Sequence, residues 1–528
     1  MPPTKTKVRS PSSARTPTGA TGQKKPDLKI NRKLNPKLNP KLTQGTAAVR
    51  GATGRKAARS GRAALACVVL AAGQGTRMRS ARSKVLHQVL GRPMVTYPIG
   101  LAQELRASPI VAVLGHQRDA VEHAIAAHFG PDAVHVVEQT EQLGTGHALR
   151  MALPALAHAH GIVLVLYGDV PLLTRETLNA LVGTARRYSC LSLVTATPPD
   201  PTGYGRIVRD ERGHVLRVVE HKDAVPEERA ITEVNAGIYA GPAGFFREAL
   251  RGLVPRNAQG EFYLTDIVAR AAATIGVSTV EANFRHVAGV NDRRQLAAAE
   301  AILRERVNTR WMEHATLRDP ESITIESGVV VGVDAEISRG AVLRGKTRIG
   351  RGAHIGEGCI LVDTDVGAGA EVRAYTVATQ ATVGAAAKIG PFAHLRPGTL
   401  LGPAVHVGNF VETKQTRMGK GSKANHLTYL GDAVIGSGVN VGAGTITCNY
   451  NGYEKRQTVI EDGAFIGSDT QLVAPVTVGR RAVVAAGTTV TKDVLAGALV
   501  LTRAAETVVP GYADRLAKRY PARGAPKG

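Results

Sequence analysis

The chain has few cysteines and few aromatic residues. Its four Cys, at positions 67, 190, 359 and 448, lie far apart and form no C-x-x-C pair. This spacing suggests neither a disulfide framework nor a cysteine-ligated zinc site, and it fits a reducing cytoplasm. Aromatic residues make up only 4% of the 528 residues, whereas there are 58 glycines. That balance favours tight turns and repeats over a conventional packed sandwich.

No segment is apolar for long enough to cross a membrane. The longest apolar run, AALACVVLAAG at residues 63–73, is far short of the roughly 20 residues that a transmembrane helix requires. The run also begins too far along the chain, and lacks the layout, for a signal peptide. We therefore expect a soluble, cytoplasmic protein without membrane contact, and the chain length predicts two or three domains.

The first 62 residues contain almost no acidic residues. They hold 16 of the 67 Lys and Arg but one acid, Asp27, and therefore carry +15 of the formal net charge of +24. Their low apolar content predicts a disordered basic tail over residues 1–62. A solvated tail, or a translation start assigned too early, is the favoured interpretation. A transit peptide and nucleic-acid contact through the positive charge are the less favoured alternatives.

Between residues 63 and 292, short β-branched runs alternate with helical stretches. CVVLAAG, IVAVLG, IVLVLYGD and LSLVTAT are each typical of a buried parallel strand, and ETLNALVGTARRY is typical of an intervening helix. The alternation predicts a Rossmann-like α/β domain with a mostly parallel sheet, whose ligands bind at the carboxyl ends of the strands. A long linker helix is predicted over residues 293–318, where apolar residues recur at helical spacing.

After Pro320 an aliphatic residue returns at every sixth position. One unbroken series is Val383, Ile389, Leu395, Leu401 and Val407, and a second is Ile460, Ile466, Leu472, Val478, Val484 and Val490. A small or branched residue stands four positions after many of these aliphatics. A sandwich strand would alternate with period two, whereas a period of six predicts a parallel β-helix, here over residues 319–505 with a tail at 506–528.

The six-residue rhythm lapses between the two series, at TRMGKGSKANHLTYLGD (416–432). Two Lys, a His and a Tyr occupy the stretch. We expect it to form a loop thrown out from the β-helix wall, with Tyr429 beside His426. An imidazole with an ordinary pKa near 6.5 suits the removal of a proton from an amine. A solvated surface histidine is the alternative for His426.

A glycine-rich turn, LAAGQGTRMRS (70–80), follows the first predicted strand. Gly73 and Gly75 let the backbone approach a polyphosphate, Thr76 and Arg77 supply donors, and Lys84 adds a point charge. The turn is not a G-x-G-x-x-G fingerprint, which disfavours a dinucleotide. Further polar segments at predicted strand ends are QTEQLGTGHA, YGDVPLL, TGYGRIV, VEHKD, EVNAGIY and AGVNDR.

In order and wording, these segments resemble the bacterial N-acetylglucosamine-1-phosphate uridyltransferase/glucosamine-1-phosphate acetyltransferase family over about residues 66–505. The resemblance implies that the β-helix is left-handed and that the assembly is a homotrimer with acetyl-transfer sites between adjacent β-helices. It implies a bifunctional enzyme that acetylates glucosamine 1-phosphate with acetyl-CoA and then transfers UMP from UTP. The products would be pyrophosphate and UDP-N-acetylglucosamine, a precursor of cell wall and lipopolysaccharide.

The resemblance gives the α/β domain a UTP site and a sugar-phosphate site, the latter at Gly205, Glu220 and Asn235. Asp169 and Asn291 are expected to hold Mg²⁺, although Asp169 taken alone is equally typical of a strand-end turn. Ser83 departs from the family, which usually has Pro before the lysine, and a looser lysine loop is expected. The residues expected to bind UTP or the sugar nucleotide are Leu70, Ala71, Ala72, Gly73, Gly75, Thr76, Arg77, Lys84, Gln142, Gly144, Thr145, Tyr167, Gly168, Asp169, Gly205, Glu220, Asn235 and Asn291.

The resemblance places an acetyltransferase site at the interruption of the repeat, with His426 as the catalytic base. We expect Glu412 to orient His426. The residues expected to bind glucosamine 1-phosphate are Arg396, Lys414, Tyr429, Asn440 and Lys455. The residues expected to bind acetyl-CoA are Asn449, Tyr450, Ser468, Ala486 and Arg503.

Two other classes of protein share this architecture. One is a pyrophosphorylase for a different sugar nucleotide, such as ADP-glucose, which would not need His426 and its basic companions. The other is a non-catalytic regulatory subunit, against which the presence of Lys84, Asp169 and Asn291 argues.

Overall fold

The computed structural model describes residues 64–520, so the predicted basic tail lies outside the described residues. The N-terminal domain is built on a nine-stranded sheet. Its central strand, Ala64–Ala71, pairs in parallel with Gly161–Tyr167 on one side and Ile110–Leu114 on the other. The strand Val234–Pro242 joins the sheet antiparallel to its neighbours. The sheet is therefore mostly parallel, as predicted.

The central strand is apolar throughout because both of its faces are covered. Cys67, Val69 and Ala71 belong to one apolar core, and the alternate residues Ala66, Val68 and Leu70 belong to the core on the opposite face. Side chains of successive strand residues point to opposite faces. A strand buried on both sides therefore needs a continuous apolar run rather than an alternating one.

The remaining elements of this domain complete the sheet, cover its faces and add a separate two-stranded hairpin of Gln88–Val89 and Arg92–Pro93. The other strands are Gln88–Val89, Arg92–Pro93, His135–Glu138, Leu191–Ala196, Arg206–Arg209, Val215–Val219 and Val277–Glu281. The helices are Thr96–Glu104, Arg118–Phe129, Thr145–Met151, Arg175–Tyr188, Pro226–Arg229, Ala243–Arg251, Asp266–Ala273 and Phe284–Val287. Short 3-10 turns lie at Thr76–Met78, Lys84–Leu86 and Pro154–Leu156.

A helix at Arg293–Trp311 leads from the sheet domain to the β-helix. The side chain of Asp292 caps its first turn by accepting a hydrogen bond from the backbone N–H of Gln295, at 2.8 Å. Near its end, the buried Asn308 side chain donates to the backbone oxygens of Pro320 and Ile323, at 2.7 and 3.0 Å. These bonds fix the helix to the first β-helix coil, which begins with the strand Thr316–Leu317.

The C-terminal half is a parallel β-helix. Ile337 pairs with Ile355, Ile355 with Val372, Val372 with Ile389, and Ile389 with Val407. Each of these side chains is at most 1% exposed. Every aliphatic of both predicted six-residue series is likewise buried. The six-residue period arises because these apolar side chains point inward, one from each side of a coil, and stack in columns.

The strands of the β-helix form two parallel sheets and a row of successive coils. One sheet contains Thr316–Leu317, Glu336–Ile337, His354–Ile355, Glu371–Val372, Lys388–Ile389, His406–Asn409, Lys423–His426, Asn440–Val441, Phe465–Ile466, Val483–Val484 and Leu499–Val500. The other contains Thr324–Ile325, Val330–Val331, Val342–Arg344, Arg348–Ile349, Ile360–Val362, Asp365–Val366, Val377–Thr379, Thr382–Val383, His394–Leu395, Leu400–Leu401, Glu412–Met418, Tyr429–Ile435, Ile446–Cys448, Thr458–Ile460, Gln471–Val473, Val476–Val478 and Thr489–Val490.

Buried threonines complete the corners of several coils. The Thr399 hydroxyl donates to the backbone oxygen of Arg396, and the Thr470 hydroxyl donates to that of Gly467, each at 2.7 Å. A hydroxyl that bonds three residues back satisfies a carbonyl that the corner would otherwise leave buried without a partner. This geometry explains why threonine is found at some of the positions four residues after an inward aliphatic.

The prediction of a loop at residues 416–432 is wrong, because this stretch runs in the wall of the coils. It contributes to the strands Glu412–Met418, Lys423–His426 and Tyr429–Ile435. The rhythm lapses because two sides of the coil are one residue short. Met418 follows the inward Thr413 by five positions, and Ile435 likewise follows Leu430. The true excursion lies at residues 449–457, between the strands Ile446–Cys448 and Thr458–Ile460.

The chain continues beyond the last coil strand, Leu499–Val500, to a helix at Tyr512–Arg519 that buries none of its residues. Over residues 64–520, no helix combines the length and apolar character needed to cross a membrane.

Candidate active sites

The carboxyl ends of the central strands open into a cavity of about 280 Å³. The strand pairing explains this convergence, because Leu70 lies opposite both Val113 and Tyr167 in the sheet. Ten of the predicted nucleotide-binding residues line the cavity: Leu70, Ala71, Ala72, Gly73, Lys84, Gln142, Gly144, Thr145, Tyr167 and Asp169.

One wall of the cavity is a tightly held segment around Gly144. The Gln142 amide donates to the backbone oxygen of Ala72 at 3.1 Å, and the Thr145 hydroxyl accepts from the backbone N–H of Leu264 at 3.2 Å. Gly144 has φ of 101°, and a Cβ there would lie 2.8 Å from the Phe262 carbonyl oxygen. Glycine is required at this position on both counts. Gly144 and its neighbours are therefore fixed against the segment at Phe262–Leu264.

A cationic cluster stands at the mouth of the cavity. The Lys84 ammonium contacts the carboxylate of Asp169 and donates to the side-chain oxygen of Asn291 at 3.2 Å. The Arg77 guanidinium donates to the same Asn291 oxygen at 2.9 Å. Gly75 makes room for this packing, since a Cβ on it would lie 2.5 Å from the Lys84 Cβ.

Asp169 and Asn291 fit a role as ligands of Mg²⁺. Their side-chain oxygens converge on one cation, the Lys84 ammonium, and hard oxygen donors are the ligands that Mg²⁺ prefers. Within the described residues no group of three or more His, Cys, Asp and Glu side chains is placed to hold a metal ion. Mg²⁺ in nucleotide sites is held by one or two protein oxygens together with phosphates and water, and the present pair matches that pattern.

Two further predicted residues, Gly168 and Thr76, lie near this cavity. The Gly168 backbone N–H donates to the Leu70 carbonyl at 2.9 Å. A Cβ on Gly168 would lie 2.9 Å from that of Ala71, so a side chain does not fit there. Thr76 is exposed and begins the 3-10 turn that carries Arg77.

The three predicted sugar-phosphate residues of the α/β domain lie together but beside the first cavity. The Asn235 backbone N–H donates to the Gly205 carbonyl at 2.8 Å, and the Asn235 amide donates to the Tyr239 hydroxyl at 2.6 Å. Glu220 lines a second cavity of about 370 Å³ and accepts a hydrogen bond from the Thr265 hydroxyl at 3.0 Å. Burial raises the pKa of the Glu220 carboxyl above its ordinary value.

On the β-helix, basic side chains gather on adjacent coils. Arg396 forms an ion pair with Glu412 at 2.8 Å, and the Lys414 ammonium lies 3.5 Å from the Asp432 carboxylate. The interaction between the Lys414 and Lys455 side chains raises the pKa of Lys414, which also faces the Asp432 carboxylate, and lowers the pKa of Lys455. Two amines so close favour an anionic ligand between them.

Two of the other predicted residues meet this basic cluster. The Asn449 amide donates to the carboxylate of Asp432. Tyr429 lies opposite Glu412 in the coil register and is partly buried. Both residues therefore neighbour an acid that pairs with the basic cluster, Asp432 in one case and Glu412 in the other.

His426 is oriented by Asn409, and the predicted role of Glu412 is wrong. The His426 Nδ1 lies 3.0 Å from the Asn409 side-chain oxygen, and the two residues are register partners on adjacent coils. Glu412 instead pairs with Arg396. An oxygen acceptor at Nδ1 selects the tautomer with its proton there, which leaves the Nε2 lone pair free. That nitrogen can accept a proton.

The corner at His426 continues along the β-helix to the predicted acetyl-CoA residues. The backbone N–H of Gly444 donates to Leu427 O at 3.0 Å, that of Asp469 to Ala443 O at 2.7 Å, and that of Gly487 to Ser468 O at 2.8 Å. The corner residues of four successive coils are Leu427, Gly444, Asp469 and Gly487. The residues directly before them in the chain, His426, Ala443, Ser468 and Ala486, therefore stack in one column. The Arg503 guanidinium donates to the Ala486 carbonyl at 2.6 Å.

Two predicted residues lie outside these contacts. The Tyr450 hydroxyl donates to the Gly452 carbonyl at 2.6 Å, within the 449–457 excursion, and the backbone of Tyr450 bridges to that of Lys455. Asn440 lies between Lys423 and Phe465 in the coil register. Its side chain makes no hydrogen bond to another member of the basic cluster in the described part of the chain.

Sequence reasoning missed two residues of the second site, Asn409 and Asp432. Both stand inside motifs that the sequence displays, NFVETKQT and TYLGD. Neither could be assigned from the sequence, because each acts across the coil stack rather than along the chain. Asn409 is 17 positions from His426, and Asp432 is 18 positions from Lys414.

Comparison with known families defines the class of protein. Residues 67–242 match the MobA-like NTP transferase domain, and residues 457–492 match six repeats of the bacterial transferase hexapeptide. Residues 325–420 match the GMPPB C-terminal domain. The chain is therefore an enzyme that joins a nucleotidyltransferase domain to a hexapeptide-repeat transferase domain. The fold class predicted from the sequence, including the left-handed parallel β-helix, is confirmed.

Whole-length relatives identify the family. The chain is 52% identical over 461 residues to the "Bifunctional protein GlmU" of Sorangium cellulosum, an alignment that covers 86% of this chain and 97% of the relative. It is 47% identical over 460 residues to the protein of that name from Pelobacter propionicus, covering 86% and 99% of the two chains. The chain belongs to the family of bifunctional GlmU proteins.

Family membership confirms the resemblance seen in the motifs and the predicted bifunctional enzyme. The enzyme acetylates glucosamine 1-phosphate and transfers a uridylyl group to the product, which yields UDP-N-acetylglucosamine for the cell wall. The relatives align across both domains. Because a pyrophosphorylase of another sugar nucleotide and a non-catalytic subunit share the architecture, the evidence against them is the 52% identity, over 86% of the chain, to a protein named as bifunctional.

Proposed function

We propose that the two reactions take place at the two sites described above. Acetyl transfer occurs on the β-helix at His426, and uridylyl transfer occurs in the α/β cavity beside Lys84. The observation that carries the division is the bond between His426 Nδ1 and Asn409. It prepares an imidazole base on the wall that also carries the basic cluster, and uridylyl transfer does not require such a base.

In the acetyl-transfer step, the sugar amine must first lose a proton. Glucosamine's ammonium gives that proton to His426 Nε2, and the neutral nitrogen attacks the thioester carbonyl of acetyl-CoA. An amide bond forms and the carbon–sulfur bond breaks. The attacking nitrogen gives up its second proton, which the leaving thiolate takes up to give CoA, and the proton held by His426 passes to solvent. Arg396, Lys414 and Lys455 hold the sugar phosphate by charge. Ser468, Ala486 and Arg503 lie along the column where acetyl-CoA binds.

In the uridylyl-transfer step, the acetylated sugar phosphate is itself an anionic nucleophile. Its phosphate oxygen attacks the α-phosphorus of UTP, and pyrophosphate leaves. Mg²⁺, when bound by Asp169 and Asn291, supplies charge neutralisation to the phosphates. Lys84 and Arg77 neutralise the remaining phosphate charge at the cavity mouth. The Gln142–Thr145 segment orients the uracil, and Glu220 and Asn235 receive the sugar.

The enzyme is a cytoplasmic homotrimer in this proposal. An exposed column of stacked rings on the β-helix supports self-association. Tyr375, Phe392 and Phe410 stack with ring centroids 5.4 and 5.5 Å apart, and Leu427 continues the column beside His426. All four side chains are at least 47% exposed. Large exposed apolar patches are typical of protein interfaces. Sedimentation of wild type and of Phe392→Asp tests the assembly, and a wild-type monomer would contradict it.

One assay tests the proposed function as a whole. The purified chain is supplied with glucosamine 1-phosphate, acetyl-CoA, UTP and Mg²⁺, and the products are separated. We expect UDP-N-acetylglucosamine, pyrophosphate and CoA in equal amounts. Without UTP, N-acetylglucosamine 1-phosphate should accumulate. No nucleotide sugar in the complete mixture, from a folded protein, would contradict the proposal.

A further inference from the structure

The loop that carries Lys84 is hydrogen-bonded to the side-chain amide of Gln117, a residue that lies between a strand and a helix. The Ser83 backbone N–H donates to Gln117 Oε1 at 2.7 Å, and Gln117 Nε2 donates to the Ala81 carbonyl. One side chain thus satisfies a donor and an acceptor two residues apart. The bonds span 34 and 36 positions of sequence. They therefore attach the loop to the segment that follows the strand Ile110–Leu114, and not to other residues of the loop.

The backbone of Gln117 is in an uncommon conformation that serves this contact. Gln117 follows the strand Ile110–Leu114 and precedes the helix Arg118–Phe129, with φ of 56° and ψ of 40°. Left-handed backbone is rare for residues with a Cβ and is kept where surrounding contacts compensate for it. The two bonds from the side chain are such contacts. The amide reaches the lysine loop because both elements end at the same edge of the sheet.

The contact matters because Ser83 is buried. Ser83 is 0% exposed, and Gln117 Oε1 is the partner of its N–H in the folded chain. A buried donor that loses its partner is strongly disfavoured, and the chain moves to satisfy it. Any such movement carries Lys84, the next residue, whose side chain is 13% exposed and reaches Asp169 and Asn291. Gln117 therefore contacts Ser83, Ser83 precedes Lys84 in the chain, and the Lys84 side chain lies at the cavity.

We infer that Gln117 is a positioning residue for uridylyl transfer, acting through Ser83 on Lys84. The inference rests on the phosphate-binding role proposed for Lys84. Gln117 is not in the cavity lining and needs no contact with substrate. Gln117 keeps the lysine at the place where the triphosphate binds. The conformational entropy lost when the loop is ordered on binding is therefore smaller.

The first test compares Gln117→Ala with a matched control, Gln103→Ala, at an exposed glutamine of the neighbouring helix. We expect Gln117→Ala to lower kcat/KM for UTP by about 5- to 30-fold, mainly through KM, as the loss of hydrogen bonds to a buried group implies. Gln103→Ala should stay within about twofold of wild type. Acetyl transfer by the same molecules should not change, which shows that the chain is folded.

The second test uses Ser83→Pro, because a proline has no N–H to satisfy. The Ser83 φ of −51° lies within the range that proline adopts. In the Ser83→Pro variant, adding Gln117→Ala should therefore raise the KM for UTP by less than it does in wild type, because only the bond to the Ala81 carbonyl remains to be lost. Equal losses from Gln117→Ala with and without Ser83→Pro would overturn the inference, as would a parallel loss of acetyl transfer.

A third variant separates this inference from the proposal on which it rests. Lys84→Ala should raise the KM for UTP by more than Gln117→Ala does. If Lys84→Ala left uridylyl transfer unchanged, the proposed role of Lys84 would fail. If Lys84→Ala were damaging and Gln117→Ala behaved as the control, the positioning role alone would be contradicted.

Discussion

The His426 imidazole and the Asn409 amide lie on neighbouring coils with Nδ1 and Oδ1 3.0 Å apart. Asn409→Ala should lower acetyl transfer by about 10- to 100-fold, the loss typical when a partner that orients a histidine is removed. Asn409→Asp keeps an oxygen acceptor and should retain more activity than Asn409→Ala. Uridylyl transfer is the internal control and should not change. Equal acetyl-transfer rates for wild type and Asn409→Ala would show that the bond has no role in orientation.

Metal dependence should separate the two reactions. Because Asp169 and Asn291 are proposed to hold Mg²⁺, chelation with EDTA should stop uridylyl transfer and leave acetyl transfer running. Asn291→Ala, which keeps the carboxylate, should raise the Mg²⁺ concentration for half-maximal uridylyl transfer by about tenfold. Direct Mn²⁺ binding, followed by electron paramagnetic resonance, checks the same loss without turnover. An unchanged metal requirement in Asn291→Ala would remove that residue from the metal site.

The partly buried carboxyl of Glu220 should make stability depend on pH. Burial raises its folded-state pKa, so the folded chain holds this proton more tightly than the unfolded chain. The resulting stabilisation is present below the ordinary Glu pKa of about 4.3 and is lost as pH rises through the folded-state pKa. Glu220→Gln cannot ionise and should gain Tm relative to wild type between about pH 4 and pH 8.

The control for this measurement is Glu211→Gln, at an exposed position. Its Tm difference from wild type should be the same at both ends of the pH range. A Tm difference for Glu220→Gln that does not grow with pH would show that the carboxyl is not destabilised by burial.

The inward aliphatic column should dominate the stability of the β-helix. Ile466 is 0% exposed, whereas Val483, on the adjacent coil, is 39% exposed. Ile466→Ala should lower the free energy of unfolding by about 2–5 kcal/mol, because it removes a buried side chain and leaves a cavity. Val483→Ala should cost less than about 1 kcal/mol. Denaturant midpoints of the two variants check the ranking, and equal effects would contradict the inward assignment of Ile466.

The fold could be predicted because its periods are physical consequences of burial. A residue that faces inward on every side of a coil returns at every sixth position, and a strand covered on both faces is apolar throughout. The five-residue sides at Met418 and Ile435 could not be predicted. A pattern that misses one position looks the same as a pattern interrupted by a loop.

The candidate sites were predictable to different depths. Residues of the glycine-rich turn meet those of later strand ends because parallel strands end at one edge of the sheet. On the β-helix, contacts form between coils, so Asn409 reaches His426 although Glu412 is nearer to it in sequence. Which of the two polar residues contacts His426 depends on the register between coils, and this register cannot be read from the sequence.

The central claim is that one chain carries two independent sites, and mixing two variants tests it most directly. His426→Ala should convert N-acetylglucosamine 1-phosphate but not glucosamine 1-phosphate, and Asp169→Ala should stop at the acetylated sugar phosphate. Separately purified and then mixed with glucosamine 1-phosphate, acetyl-CoA, UTP and Mg²⁺, the two should together form UDP-N-acetylglucosamine. If either folded variant lacked both activities, and the mixture formed no nucleotide sugar, the two-site account would be contradicted.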